Sequence, residues 1–314
     1  MEAKINFEEK IRGGIVGLLV GDALGVPYEF NPPEKLPPLE KIEFEPPAGF
    51  NRTYPYVPTG TWSDDGAQAL CLLASLLECG RFDADDFAQK LIAWCDEDYM
   101  AVGKRFDIGI QTQRAISNLK QGFPPLEAGP SDEHANGNGS LMRVLPLALW
   151  HKGSDEELVK DAFNQSSLTH GHLRSKLCCA LYCLWAKGIL NDIQNPWGNA
   201  VSTLRKIFGE NSEEIAELET QIFSQAQNKP GGSGYVVDSL FSAKWACEKS
   251  NYEETVKSAV SLGRDTDTTA CIAGGIAGLK YGLAGIPERW RKNLRGAEIY
   301  EPLLDKLVEH RNDK

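Results

Sequence analysis

Residues 263–287 read GRDTDTTACIAGGIAGLKYGLAGIP. The segment opens on acids and hydroxyls and closes on Ile286-Pro287. Between them, apolar residues recur at three- and four-residue steps, which predicts a helix over about 266–284. Gly274, Gly278 and Gly282 fall four residues apart, on one face of that helix. Gly13, Gly17 and Gly21 repeat the spacing in the apolar run Ile11–Gly25. A glycine inside a helix costs up to about 1 kcal/mol relative to alanine, so close packing must offset it. Two readings are open. The two stripes pack against each other, or each receives a bulky neighbour.

The same periodicity runs through most of the chain. It appears in Ala67, Leu70, Cys71, Ala74 and Leu77, in Leu177, Leu181, Leu184 and Trp185, and over about 84–98, 105–120, 155–166, 213–227, 234–249, 252–262 and 298–310. Gly80, Gly122, Gly188 and Gly209 stand where helices should end, and Pro287 suits the first turn of another. Lys41–Phe44 is the best candidate for a strand, and it is short. The long irregular stretch, about 26–62, carries nine prolines; a loop of that length is often functional. With no linker and no fixed-period repeat, the chain is expected to be one all-α domain over 1–314.

Composition narrows the function. The net charge is −11, so a basic groove that tracks phosphates is excluded and nucleic acid is an unlikely ligand. The start Met1-Glu-Ala-Lys lacks the features of a leader peptide. Ile11–Gly25 and Ala270–Gly285 are each shorter than the ~20 residues that span a bilayer. A cytoplasmic protein with no membrane partner is expected. The eight cysteines include no Cys-x-x-Cys pair, which argues against zinc. They read as reduced, small core residues.

Two clusters carry the chemistry: Thr61-Trp-Ser-Asp-Asp-Gly66 and Gly263-Arg-Asp-Thr-Asp-Thr268. Each opens a predicted helix with three oxygen ligands, Ser63, Asp64 and Asp65 in one and Asp265, Asp267 and Thr268 in the other. Capping needs only one side chain per helix. A helix N-terminus offsets a negative charge by only about 0.3–1 kcal/mol. Converging carboxylates therefore call for a hard divalent cation, Mg²⁺ or Mn²⁺, which takes oxygen ligands. Two such helix starts facing each other would hold two ions. Glu29 follows Gly21-Asp-Ala-Leu-Gly-Val-Pro-Tyr at the head of the proline-rich loop. The loop Asn136-Gly-Asn-Gly-Ser-Leu-Met-Arg143 offers backbone N–H groups to phosphates, although turn formation explains it equally well.

Taken in order, Gly21-Asp-Ala-Leu-Gly, Trp62-Ser-Asp-Asp, Gly137-Asn-Gly-Ser-Leu-Met-Arg143, Thr169-His170, Gly234-Tyr-Val-Val-Asp238 and Asp265-Thr-Asp-Thr268 resemble the ADP-ribosylglycohydrolase family, over about 11–291. The family includes the dinitrogenase reductase-activating glycohydrolases. The resemblance implies a compact orthogonal multi-helix domain around two Mg²⁺ or Mn²⁺ ions. It assigns Ser63, Asp64, Asp65, Asp265, Asp267 and Thr268 as metal ligands, and Glu29, Asp64, Asp65 and Asp267 as catalytic. It places Asn138, Gly139 and Ser140 in the loop that grips the diphosphate or distal ribose. His170 would contact the ligand and Tyr235 would stack on adenine. Ser63 stands where the family usually has Thr, Gly66 where a Thr often follows, and Arg264 where Gly often precedes the second cluster. Only substrate preference is put in question by these departures.

The implied reaction is removal of ADP-ribose from a modified side chain, preferably arginine, by a metal-bound water attacking C1″. The expected substrate is an ADP-ribosylated protein or an ADP-ribose-containing small molecule. Three alternatives remain open: another linkage, such as serine, O-acetyl-ADP-ribose or nucleic acid; a metallohydrolase acting on a phosphoester; and an ADP-ribose-binding or toxin-immunity protein of the same fold. In the last case the partner would be a cognate ADP-ribosyltransferase.

Overall fold

The computed structural model describes residues 5–312. Among them, the α-helices in chain order are α1 (Phe7–Gly25), α2 (Asp64–Cys79), α3 (Ala84–Glu97), α4 (Ile110–Lys120) and α5 (Leu145–Trp150). Next come α6 (Asp155–Ser167), α7 (Leu173–Leu190), α8 (Pro196–Phe208), α9 (Glu213–Glu217) and α10 (Val236–Ala246). The chain ends with α11 (Tyr252–Val260), α12 (Thr266–Gly285), α13 (Glu288–Asn293) and α14 (Ala297–Asn312). No strand is present among the described residues; a lone antiparallel bridge joins Gly137 to Tyr235. The all-α expectation holds.

The two glycine stripes meet. A Cβ on Gly13 would lie 2.3 Å from Gly278 O, one on Gly17 2.5 Å from Gly274 O, and one on Gly21 2.0 Å from Ala270 O. The residue numbers rise along α1 as they fall along α12, so the pair is antiparallel. Backbone contact this close admits only glycine and brings Cα–H groups against carbonyl oxygens. The arrangement has a consequence for the site. A Cβ on Gly25, the last residue of α1, would fall 2.3 Å from Asp267 Cα. The exit of α1, leading to Glu29, is thereby pinned beside the entrance of α12. Tyr252 reinforces the pair by donating to Gly17 O at 2.6 Å.

Several expectations need correction. Lys41–Phe44 is not a strand: Leu39–Lys41 forms a 3₁₀ turn and the rest is irregular. Nine prolines leave the stretch no ladder partner, and side chains hold it instead. Glu43 accepts from Trp290 Nε1 at 2.6 Å and pairs with Arg289 at 2.9 Å and Lys257 at 3.1 Å. The helix expected over 105–120 begins only at Ile110, because Gly109 is its N-cap. Gly188 does not end α7, which runs two residues further; a Cβ there would meet Pro196 at 2.9 Å, so the glycine serves packing. Over 213–227 the helix changes hand-hold twice, from α9 to a π turn at Leu218–Ile222 and a 3₁₀ turn at Phe223–Gln225.

The N-terminal apolar run is longer than Ile11–Gly25. Phe7–Tyr28 is long and apolar enough to cross a membrane by length and composition, and 94% of its apolar window is buried inside the fold. Here it is the core helix that packs on α12. The start Met1–Lys4 lies outside the described residues. All eight cysteines are free; six are buried, while Cys79 and Cys95 are half-buried.

Candidate active site

Asp22 organises the first acidic cluster. It sits in α1, is fully buried, and accepts from the backbone N–H of Ser63 at 2.9 Å and of Gly66 at 2.8 Å. One carboxylate thus caps the start of α2 and fixes it against α1. Burial pushes Asp22 up to about 7, against the pull of the two N–H groups. Asp22 is not distinguished by the sequence pattern, since one acid in an apolar helix carries no spacing signal. Ser63 is the N-cap of α2, and its hydroxyl accepts from Asp65 N at 3.3 Å. Gly66 has no room for the threonine common in the resemblance. A Cβ there would lie 2.8 Å from both Leu19 and Trp62.

Asp64 and Asp65 are held apart by different donors. Asp64 accepts from Gln68 Nε2 at 3.0 Å, and Gln68 in turn accepts from the buried Arg143 at 2.9 Å. Burial lowers Arg143 to about 10, so it stays charged at neutral pH. Asp65 accepts from Thr268 Oγ1 at 3.3 Å, which ties the two helix starts together. Asp265 accepts from Asn138 Nδ2 at 2.8 Å, which ties the second cluster to the glycine-rich loop.

A second grouping was not foreseen. Oxygens of Glu29, Asp107 and Asp267 all lie within 4.8 Å of one another. Asp107 fell inside the expected helix 105–120, so its pattern concealed it. In the structure it precedes α4 with φ +61°, and its Oδ1 accepts from Ile108 N at 2.7 Å. The Asp-Ile-Gly run ahead of α4 was the available signal.

The electrostatics follow from burial. Glu29 is only 3% exposed; burial, then the charges of Asp107 and Asp265, push it up to about 10. Burial and neighbouring acids hold Asp64, Asp65 and Asp267 well above the usual carboxylate range, and Asp107 is raised chiefly by burial. Three buried oxygens, Glu29 Oε2, Asp65 Oδ2 and Asp267 Oδ1, have no hydrogen-bond partner. Buried, unpaired carboxylate oxygens are costly. An all-oxygen set of this kind fits a hard divalent cation.

Glu29, Asp64, Asp65, Asp107, Asp265 and Thr268 line a cavity of about 1170 Å³, while Ser63 and Asp267 are buried beside it. Asn138, Gly139, His170 and Tyr235 line the same cavity. His170 is buried, and burial followed by Arg143 lowers it to about 3, so it is neutral. A Cβ on Gly139 would come 2.8 Å from its ring, so the loop needs glycine there. Ser140 departs from expectation. It is fully buried, and its hydroxyl lies 2.8 Å from Ser166 Oγ and 3.4 Å from Cys179 Sγ, turned into the core. Tyr235 is oriented by Arg174, which donates to its hydroxyl at 3.2 Å while pairing with Glu217 at 2.6 Å.

An all-helical fold that gathers buried, perturbed acids beside one large cavity is the setting of an enzyme's active site. The ADP-ribosylglycohydrolase family profile matches residues 3–314, and the chain belongs to that family. It is 30% identical to the ADP-ribosylarginine hydrolase Tri1 of Pseudomonas putida over 96% of this chain and 78% of that one. It is 26% identical to the ADP-ribosyl-[dinitrogen reductase] glycohydrolase of Rhodospirillum rubrum, covering 92% and 91%. A solved structure described as an ADP-ribosylglycohydrolase-related protein complex superposes with a TM-score of 0.77, at 29% identity, over 97% and 98% of the two chains.

Proposed function

We propose that this enzyme hydrolyses the bond between C1″ of ADP-ribose and an arginine guanidinium, and that it depends on divalent cations. The observation that carries the reading is the convergence of Glu29, Asp107 and Asp267 within 4.8 Å, with Glu29 and Asp107 lining a cavity large enough for a nucleotide. The relative named for ADP-ribosylarginine supports the linkage. So does the chemistry of the site. Arginine is a planar cation, and the reacting end of the cavity offers it the acids Glu29 and Asp107 and the exposed ring of Phe30.

Ser63, Asp64, Asp65, Asp265, Asp267 and Thr268 would hold the cations. Mg²⁺ or Mn²⁺ held there would supply the charge that keeps the clustered carboxyls ionised and a Lewis acid for ribose hydroxyls and water. Glu29, with Oε2 free of other partners, accepts the proton of the attacking water. Asp107 faces the developing positive charge at C1″ and stabilises an oxocarbenium-like transition state. Neutral His170 and the N–H of Gly139 orient the ligand, and Tyr235 offers its ring to adenine. The test is a panel of ADP-ribosylated substrates that differ only in linkage, assayed with Mg²⁺. Preferential turnover of the arginine linkage is expected. Equal or greater turnover of the serine or O-acetyl linkage contradicts the assignment.

A further inference from the structure

Arg264 holds a backbone conformation unfavourable for its type. Its φ is +62°, the left-handed region where an L side chain crowds its own carbonyl. The loop after Glu29 locks it there: Phe30 N donates to Arg264 O at 2.6 Å, and Arg264 N donates to Asn31 O at 2.7 Å. Glycine would make both bonds without strain. Strain kept beside a ligand cavity points to a use for the side chain.

That side chain is exposed on the cavity wall, with Ser233, Gly234, Tyr235 and Asp265. Nη1 donates to Gly231 O at 2.7 Å, bracing one edge of the guanidinium. Among the described residues, no carboxylate pairs with it. The other arginine on the cavity, Arg174, is committed to Glu217, Gln221 and Tyr235. The remaining charge around the cavity is acidic, and an anionic ligand enters such a field only beside a cation.

We propose that Arg264 is a substrate-binding residue, giving the free edge of its guanidinium to a phosphate oxygen of the ADP-ribose diphosphate. The proposal rests on the ADP-ribose reading of the cavity. Calorimetry on the full chain with Mg²⁺ tests it, using free ADP-ribose and adenosine against wild type, Arg264→Gly and Arg264→Lys. Arg264→Gly should weaken ADP-ribose binding about tenfold, and Arg264→Lys should recover part of the loss. Adenosine, which lacks phosphate, should bind all three alike. The thermal midpoint of ligand-free Arg264→Gly should not fall, because glycine relieves the strain. ADP-ribose binding to Arg264→Gly at wild-type affinity overturns the proposal. So does a lowered midpoint with equal affinities, which would make Arg264 a structural brace. If wild type itself binds no ADP-ribose, the reading of the cavity fails first and takes the proposal with it.

Discussion

Asp267 buries a carboxylate oxygen that no donor reaches, and it does so among other acids. In the absence of cations, removing that charge should help the fold. Asp267→Asn is expected to raise the metal-free stability at pH 7 by about 1–3 kcal/mol, while losing the stabilisation that added Mg²⁺ gives wild type. Denaturant unfolding with and without Mg²⁺ measures both. A carboxyl raised in the folded state prefers its proton there, so folding loses stability as pH climbs from the unfolded pKa to the folded one. Asp22 spans about 4 to 7 and Glu29 about 4.5 to 10. The metal-free thermal midpoint should therefore fall as pH rises from 4.5 to 8, and a flat or rising profile contradicts the burial of these charges. Ser63, Asp64, Asp65, Asp265, Asp267 and Thr268 stood out in the sequence because three oxygen side chains in a row exceed what capping needs. Asp22 and Asp107 did not. One is a lone acid in an apolar helix, and the other lies inside a helical periodicity that the backbone abandons at Gly109. Ser140 shows the converse: Asn138 and Gly139 before it line the cavity while its own hydroxyl satisfies the core.

The pairing of α1 with α12 turns a glycine pattern into a catalytic arrangement. Its antiparallel register sets Gly25 on Asp267, so the route from α1 to Glu29 arrives beside Asp265 and Asp267. Asp22 on the same helix then fixes the start of α2. A Cβ on Gly278 would stand 1.9 Å from Gly13 O, a backbone atom that cannot turn aside. Gly278→Ala should cost about 3 kcal/mol or more. Gly49→Ala, at φ +88° with open space around it, should cost only about 1–2 kcal/mol of backbone strain. Urea unfolding of the two variants separates close packing from glycine's conformational freedom, and equal losses contradict the packing claim. The stripes were legible because a spacing of four has one meaning on a helix. Their partner was not, since either stripe alone suits any neighbour. The proline-rich stretch was legible as a loop, but its fixing by Glu43 joins residues more than 200 positions apart.

Across the whole molecule, a net charge of −11 excluded a phosphate-tracking groove and said nothing of where acids gather. The fold collects Glu29, Asp64, Asp65, Asp107 and Asp265 around one cavity, with Asp22 and Asp267 buried beside them, and most of the remaining acids are exposed or half-buried. Such a concentration of buried carboxyls is stable in its ionised form only with compensating cations. The helical class and the acidic helix starts could be read from periodicity and composition, while the convergence of those starts required the three-dimensional pairing of α1, α2 and α12. The most direct test is release of ADP-ribose from an ADP-ribosyl-arginine protein by wild type, first in excess chelator and then after Mg²⁺ is restored. Turnover should vanish in chelator and return with Mg²⁺, with Asp267→Asn inactive throughout. Turnover at the full rate in chelator would contradict the role assigned to the acidic cluster.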